Sequence, residues 1–101
     1  MYVVVGNHAV YNNLRIEEKN ILKKSQQCFA GQGDKGRKSG EIFMVYFMKN
    51  CSSEGVLFKT IKEITSELNI SHAVLTNVLK TLEDNQFIYR RNGIIGLHPE
   101  R

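Results

Sequence analysis

The sequence predicts an α+β chain, mainly helical, and three observations carry that expectation. Thr60-Ile61-Lys62-Glu63 has the spacing of a helix capping box, in which threonine and glutamate satisfy each other's backbone NH groups. Ser71, after the break at Asn69–Ile70, stands as a cap before apolar residues that keep to one helical face. Asn92-Gly93 separates two β-type runs, a strong hairpin signal because both turn residues accept positive φ.

Taken in order, the 101 residues are enough for one domain, and 42% hydrophobic against 24% charged residues is globular composition. Tyr2–Val5 reads as a short strand, paired with Ala9–Tyr11 across Gly6–Asn7. Leu14 to Phe29 favours helix. Its thin apolar stripe of Leu14, Ile21, Leu22, Cys28 and Phe29 predicts that residues 1–30 form an extension packing on a core surface. Gly31, Gly33, Gly36 and Gly40 then place half of the eight glycines within 31–40, together with Lys35, Arg37 and Lys38 against Asp34. That composition predicts a flexible basic linker.

Residues 41–101 are expected to form the folded domain. Ile42–Met48 is apolar at every position, and Ser39 as a possible cap with Lys49 near the end favours helix over strand. Such a helix must be covered on all sides, by the N-terminal helix or by a second subunit. Val56–Phe58 reads as a short extended run. Ile61, Ile64 and Leu68 keep helical spacing after the capping box, and Ser71 starts a second helix running to about Asp84. Val74, Leu75, Val78, Leu79 and Leu82 form its inner face. Phe87–Arg91 and Ile94–Leu97 flank the Asn92-Gly93 turn. Helix, short turn, capped helix and hairpin is the order of a winged helix-turn-helix with a two-stranded C-terminal wing.

The chemistry follows from the outward face of the second helix. It carries Ala73, Thr76, Asn77 and Lys80, with Ser71 and His72 at its start and Thr81 at its flank. Small, polar and basic groups suit a helix in a major groove, where Asn pairs with adenine and Thr meets a thymine methyl. The competing bland reading is a solvated helix face. Arg90 and Arg91 precede the wing tip Asn92–Gly93, and alternation along a strand lets one reach phosphates while the other packs on the domain or contacts the minor groove near the tip. Lys35, Arg37 and Lys38 would touch the DNA backbone or serve only as a connector.

Several functions are excluded or unsupported. Gly31-x-Gly33-x-x-Gly36 matches a dinucleotide-binding fingerprint in letters, but that motif needs a preceding strand inside a βαβ unit, and the preceding residues read as helix. His8, His72 and His98 are scattered, Cys28 and Cys51 lie far apart, and no nucleophile, base and acid converge; no enzyme, metal or cofactor is expected. No signal peptide or membrane-length apolar run occurs, and the cysteines read as thiols of a cytoplasmic protein. A net charge of +4 permits nucleic-acid binding without requiring it.

Ile61–Pro99 resembles the winged helix of Firmicute plasmid replication proteins of the RepL type. The matching residues are Glu63-Ile64, Ile70-Ser71, Leu82, Phe87-Ile88, Arg90-Arg91, Asn92-Gly93 and Leu97-His98-Pro99. Similar patterns occur in small repressors of the MarR and ArsR kind and in plasmid partition proteins. The resemblance implies sequence-specific binding of double-stranded DNA in plasmid replication or its control. The chain stops at Arg101, where the replication proteins continue, so a compact repressor or a centromere-binding protein competes. A homodimer is expected, because one winged helix makes few phosphate contacts. A winged helix that binds another protein is the rival class, and an effector-sensing repressor would need a cavity near the central helix.

Overall fold

Residues 18–98 are described, from a computed structural model of the chain. The expected strands at Tyr2–Val5 and Ala9–Tyr11, and residues 14–17 of the first helix, lie outside them. The element order is α1 (18–28), α2 (Asp34–Asn50), β1 (Val56–Leu57), α3 (Ile61–Leu68), α4 (His72–Asp84), β2 (Ile88–Arg91) and β3 (Ile94–Leu97). This is a mainly helical α+β winged helix.

One correction concerns 31–40. Only 29–33 turn; helix α2 already begins at Asp34 and runs unbroken through Gly36 and Gly40. Ser39 therefore caps nothing. The cap position is Gly33, extended and without a side-chain bond, and Asp34 in the first turn favours the positive helix end while pairing with Arg37 at 2.7 Å. Glycine composition signalled flexibility, but Gly40 has a packing role. A Cβ there would lie 2.6 Å from the Phe29 ring, so the absence of a side chain lets that ring seat on α2.

Helix α2 is the centre of the molecule. Phe43, Met44, Tyr46, Phe47 and Met48 are buried, with Ile64, Leu75, Val78, Leu79 and Leu82 of α3 and α4 in the same core. Phe29, with Ile21 and Leu22 of α1 packed against that core, adds further cover. The apolar run is thus largely covered within one chain, which removes it as a reason for a second subunit. Ile42, 42% exposed, is the large apolar residue of α2 left at the surface.

Short-range chemistry sets α3 and α4. The Glu63 NH donates to Thr60 Oγ1 at 3.1 Å and the Thr60 NH to Glu63 Oε1 at 2.8 Å, a complete capping box. Asn69 closes α3 in the left-handed region at φ 56°, and Ser71 Oγ accepts from the Val74 NH at 3.1 Å to start α4.

The C-terminal wing is the expected two-stranded hairpin of β2 and β3, and β1 joins it to make a three-stranded sheet. The order is β1-β3-β2, antiparallel throughout, with Val56 opposite Gly96 and Leu57 opposite Ile95, then Tyr89 opposite Gly96 and Arg91 opposite Ile94. The extended run before α3 forms the added edge strand. Asn92 and Gly93 both take positive φ, at 28° and 84°, as the hairpin turn demands. Gly96 lies under the Tyr89 ring, whose atoms occupy the space a Cβ would need.

Candidate nucleic-acid interface

Helix α4 packs Leu75, Val78, Leu79 and Leu82 inward, and this orientation exposes His72, Ala73, Thr76, Asn77 and Lys80 on the opposite side. No acid lies between Ser71 and Leu82, and Lys80 has no ion-pair partner among the described residues. These five of the residues expected to contact DNA therefore share one open surface. Ser71 is exposed but its oxygen is engaged in the cap.

Thr81 behaves differently from the other face residues. It is half-buried, and its hydroxyl oxygen accepts a hydrogen bond from Gln32 Nε2 at 2.9 Å. Thr81 therefore marks the border of the open face, where the α1–α2 turn abuts α4. The opposite border is set by Glu83, whose Oε1 lies 3.5 Å from Arg90 Nε in β2. The exposed face of α4 is thus flanked by the α1–α2 turn on one side and the wing on the other.

The wing arginines separate as strand alternation requires. Arg90 turns back toward α4 and its charge is partly met by Glu83; Arg91 is exposed, has no carboxylate partner among the described residues, and stands 5.9 Å from the Tyr89 ring centroid. Asn92 and Gly93 form the exposed tip. Lys35, Arg37 and Lys38 are exposed on the first turns of α2, a fixed helix instead of a loose loop, and Arg37 is engaged by Asp34.

Two features escaped the sequence reading. Gln32 carries no local signal, since its partner is 49 residues away. The other is a link between α2 and α3: Tyr46 Oη donates to Glu67 Oε1 at 2.6 Å, and Lys59 Nζ donates to Glu67 Oε2 at 3.2 Å. Burial, then the Glu67 hydrogen bond, pushes the Tyr46 phenol far up, and the donated hydrogen bonds hold the Glu67 carboxyl below its ordinary value.

Among the described residues no group of three or more His, Cys, Asp or Glu could hold a metal ion, and no helix is long and apolar enough to cross a membrane. The Gly31-x-Gly33-x-x-Gly36 stretch follows helix α1 and ends inside α2, so it is not fed by the strand that a dinucleotide fingerprint needs. Cys28 and Cys51 are half-buried and are not joined in a disulfide. An open groove of about 400 Å³ runs along α2, lined by Ile42, Val45, Tyr46 and Leu68 among others.

Residues 59–93, about a third of the chain, match the MarR family. No curated protein and no solved structure matches the chain. The matched stretch runs from the residue before the capping box to the wing tip, which is the helix-turn-helix and the first half of the hairpin. It is a winged helix of the DNA-binding kind.

Proposed function

We propose that this chain is a sequence-specific double-stranded DNA-binding regulator of transcription, acting by binding without catalysis, in the cytoplasm and as a homodimer. The observation that carries the reading is the open face of α4: free of acids from Ser71 to Leu82, with Asn77, Thr76 and Lys80 side by side, Glu83 and Asp84 only at the C-terminal end, and a basic hairpin beside it. Asn77 and Thr76 would meet base edges, Lys80 and Arg91 the phosphates. The match of residues 59–93 to the MarR family favours repression or activation of genes over the plasmid replication role implied by the RepL-type resemblance. A homodimer would place two recognition helices on half-sites one helical turn apart, the arrangement that palindromic sites would reveal.

The test is selection of bound duplexes from a random pool, followed by genomic footprinting of the sites found. Palindromic sites in promoters, its own included, bear the reading out. Sites confined to a replication origin or to a repeat array would transfer it to plasmid replication or partition. Absence of salt-sensitive binding to any duplex would favour a winged helix that binds protein.

A further inference from the structure

The recognition face is bounded on both flanks, and the wing is only one of the boundaries. Gln32 Nε2 donates to Thr81 Oγ1 at 2.9 Å, which fixes the start of α2 beside α4. Thr81 lies four residues, about one turn, after Asn77, so this contact borders the base-reading row itself. Lys35 follows three residues beyond Gln32 and Lys38 a turn later on the same helix. Both are exposed and neither has an ion-pair partner among the described residues, whereas Arg37 between them is neutralised by Asp34. On the far side of α4, Glu83 ties down Arg90 and leaves Arg91 unpaired. The outcome is an open face, free of acids from Ser71 to Leu82, with Glu83 and Asp84 only at its C-terminal end; Arg91 on the wing has no carboxylate partner among the described residues, and Lys35 and Lys38 stand on the helix that starts just after the Gln32–Thr81 contact.

We propose that Lys35 and Lys38 form a second phosphate-binding edge, which grips the DNA strand across the major groove from the strand met by Arg91, and that Gln32 is the positioning residue holding this edge against α4. The inference rests on the reading of α4 as the groove-reading helix. A helix seated in the major groove has a phosphate ridge on each side, and a wing alone serves one of them. Cations on the Thr81 flank serve the other. The loss of flexibility from 34 onward matters here, because cations on a fixed helix meet phosphates without the ordering cost that a loose loop would carry.

The experiment measures binding of the full chain to a fluorescently labelled 30-base-pair duplex of mixed sequence across a range of potassium chloride concentrations. Lys35→Gln/Lys38→Gln removes the charges while keeping good helix formers, and unchanged thermal melting confirms the fold. The slope of log affinity against log salt should shrink by about 1.8, and by about 0.9 for Arg91→Gln. Gln32→Ala should weaken binding of the parent protein, yet change nothing further in the Lys35→Gln/Lys38→Gln background, since its effect passes through the two lysines. If the parent and the Arg91→Gln variant behave as stated but the double lysine variant keeps the parent slope, the second edge is wrong and the recognition helix stands. Equal losses from Gln32→Ala in both backgrounds would overturn its positioning role. If the parent protein itself binds no duplex in a salt-dependent way, the DNA-binding reading falls and takes this edge with it.

Discussion

At the residue scale, Asn77 and the two wing arginines make separable claims. Asn77 is exposed in the middle of the α4 face, where an amide reads a base edge. Asn77→Ala should lower affinity for a selected site by about 1–3 kcal/mol and barely change binding to random duplex, because base contacts specify while phosphate contacts position. Fluorescence anisotropy on both DNAs checks this; equal losses would remove Asn77 from base reading. Arg90 and Arg91 are adjacent but not equivalent. With Glu83 at 3.5 Å, Arg90 already has a counter-charge, so Arg90→Ala should leave the salt slope nearly intact while Arg91→Ala reduces it. Glu67 adds a pH dependence. Its carboxyl is held low first by the Tyr46 hydroxyl and then by Lys59, so the stabilisation is present above the ordinary carboxylate value and is lost as pH falls through the depressed folded value. Tyr46→Phe should therefore be less stable than the parent at neutral pH, with the gap closing in acid, as denaturant midpoints across pH would show.

At the scale of elements, two helix starts use different devices. Helix α3 begins on a reciprocal pair of hydrogen bonds between Thr60 and Glu63, and Thr60→Ala should cost about 1 kcal/mol through loss of the cap. Helix α2 begins on Gly33 without any side-chain cap, and is held by packing. Gly40 shows how. In an exposed helix Gly→Ala would stabilise by about 1 kcal/mol. Here the new methyl would meet the Phe29 ring at 2.6 Å, and overpacking of that kind costs about 1–3 kcal/mol. Gly40→Ala should be destabilising, and Gly40→Ala with Phe29→Leu less so than the sum of the two single changes. Thermal unfolding of the four proteins decides it.

At the scale of the whole molecule, the core of one chain covers most of α2, while Ile42 and the half-buried Val45 remain on an open groove with Leu68. The proposed homodimer thus rests on the pairing of two recognition helices on one site and no longer on an uncovered helix. Sedimentation equilibrium should show a dimer at tens of micromolar, and a monomer at that concentration would remove it. The excess of 14 basic over 10 acidic residues is modest, so binding must draw on where the cations stand. In the fold Arg90 and Arg91 stand on the wing beside α4, and Lys35 and Lys38 lie on the first turns of α2, which begins just after the Gln32–Thr81 contact.

The sequence by itself determined most of what short-range physics controls, the Ser39 cap being the exception. The capping box at Thr60, the Ser71 cap, the inner face of α4 and the Asn92-Gly93 turn each involve residues a few positions apart, and each stands where its pattern placed it. The same locality made His72, Ala73, Thr76, Asn77 and Lys80 legible as one exposed row, because a helix of known inner face has a known outer one. Only the tertiary structure decided the rest. Whether 34–40 was linker or helix depended on Phe29 packing over Gly40; the pairing of the extended run at Val56–Leu57 into the sheet depended on the edge that β3 offered; which arginine lacked a carboxylate depended on Glu83; and the border at Thr81 depended on Gln32. Each of these outcomes is set by contacts between segments distant along the chain or by the angle between packed elements, and no window of neighbouring residues encodes either.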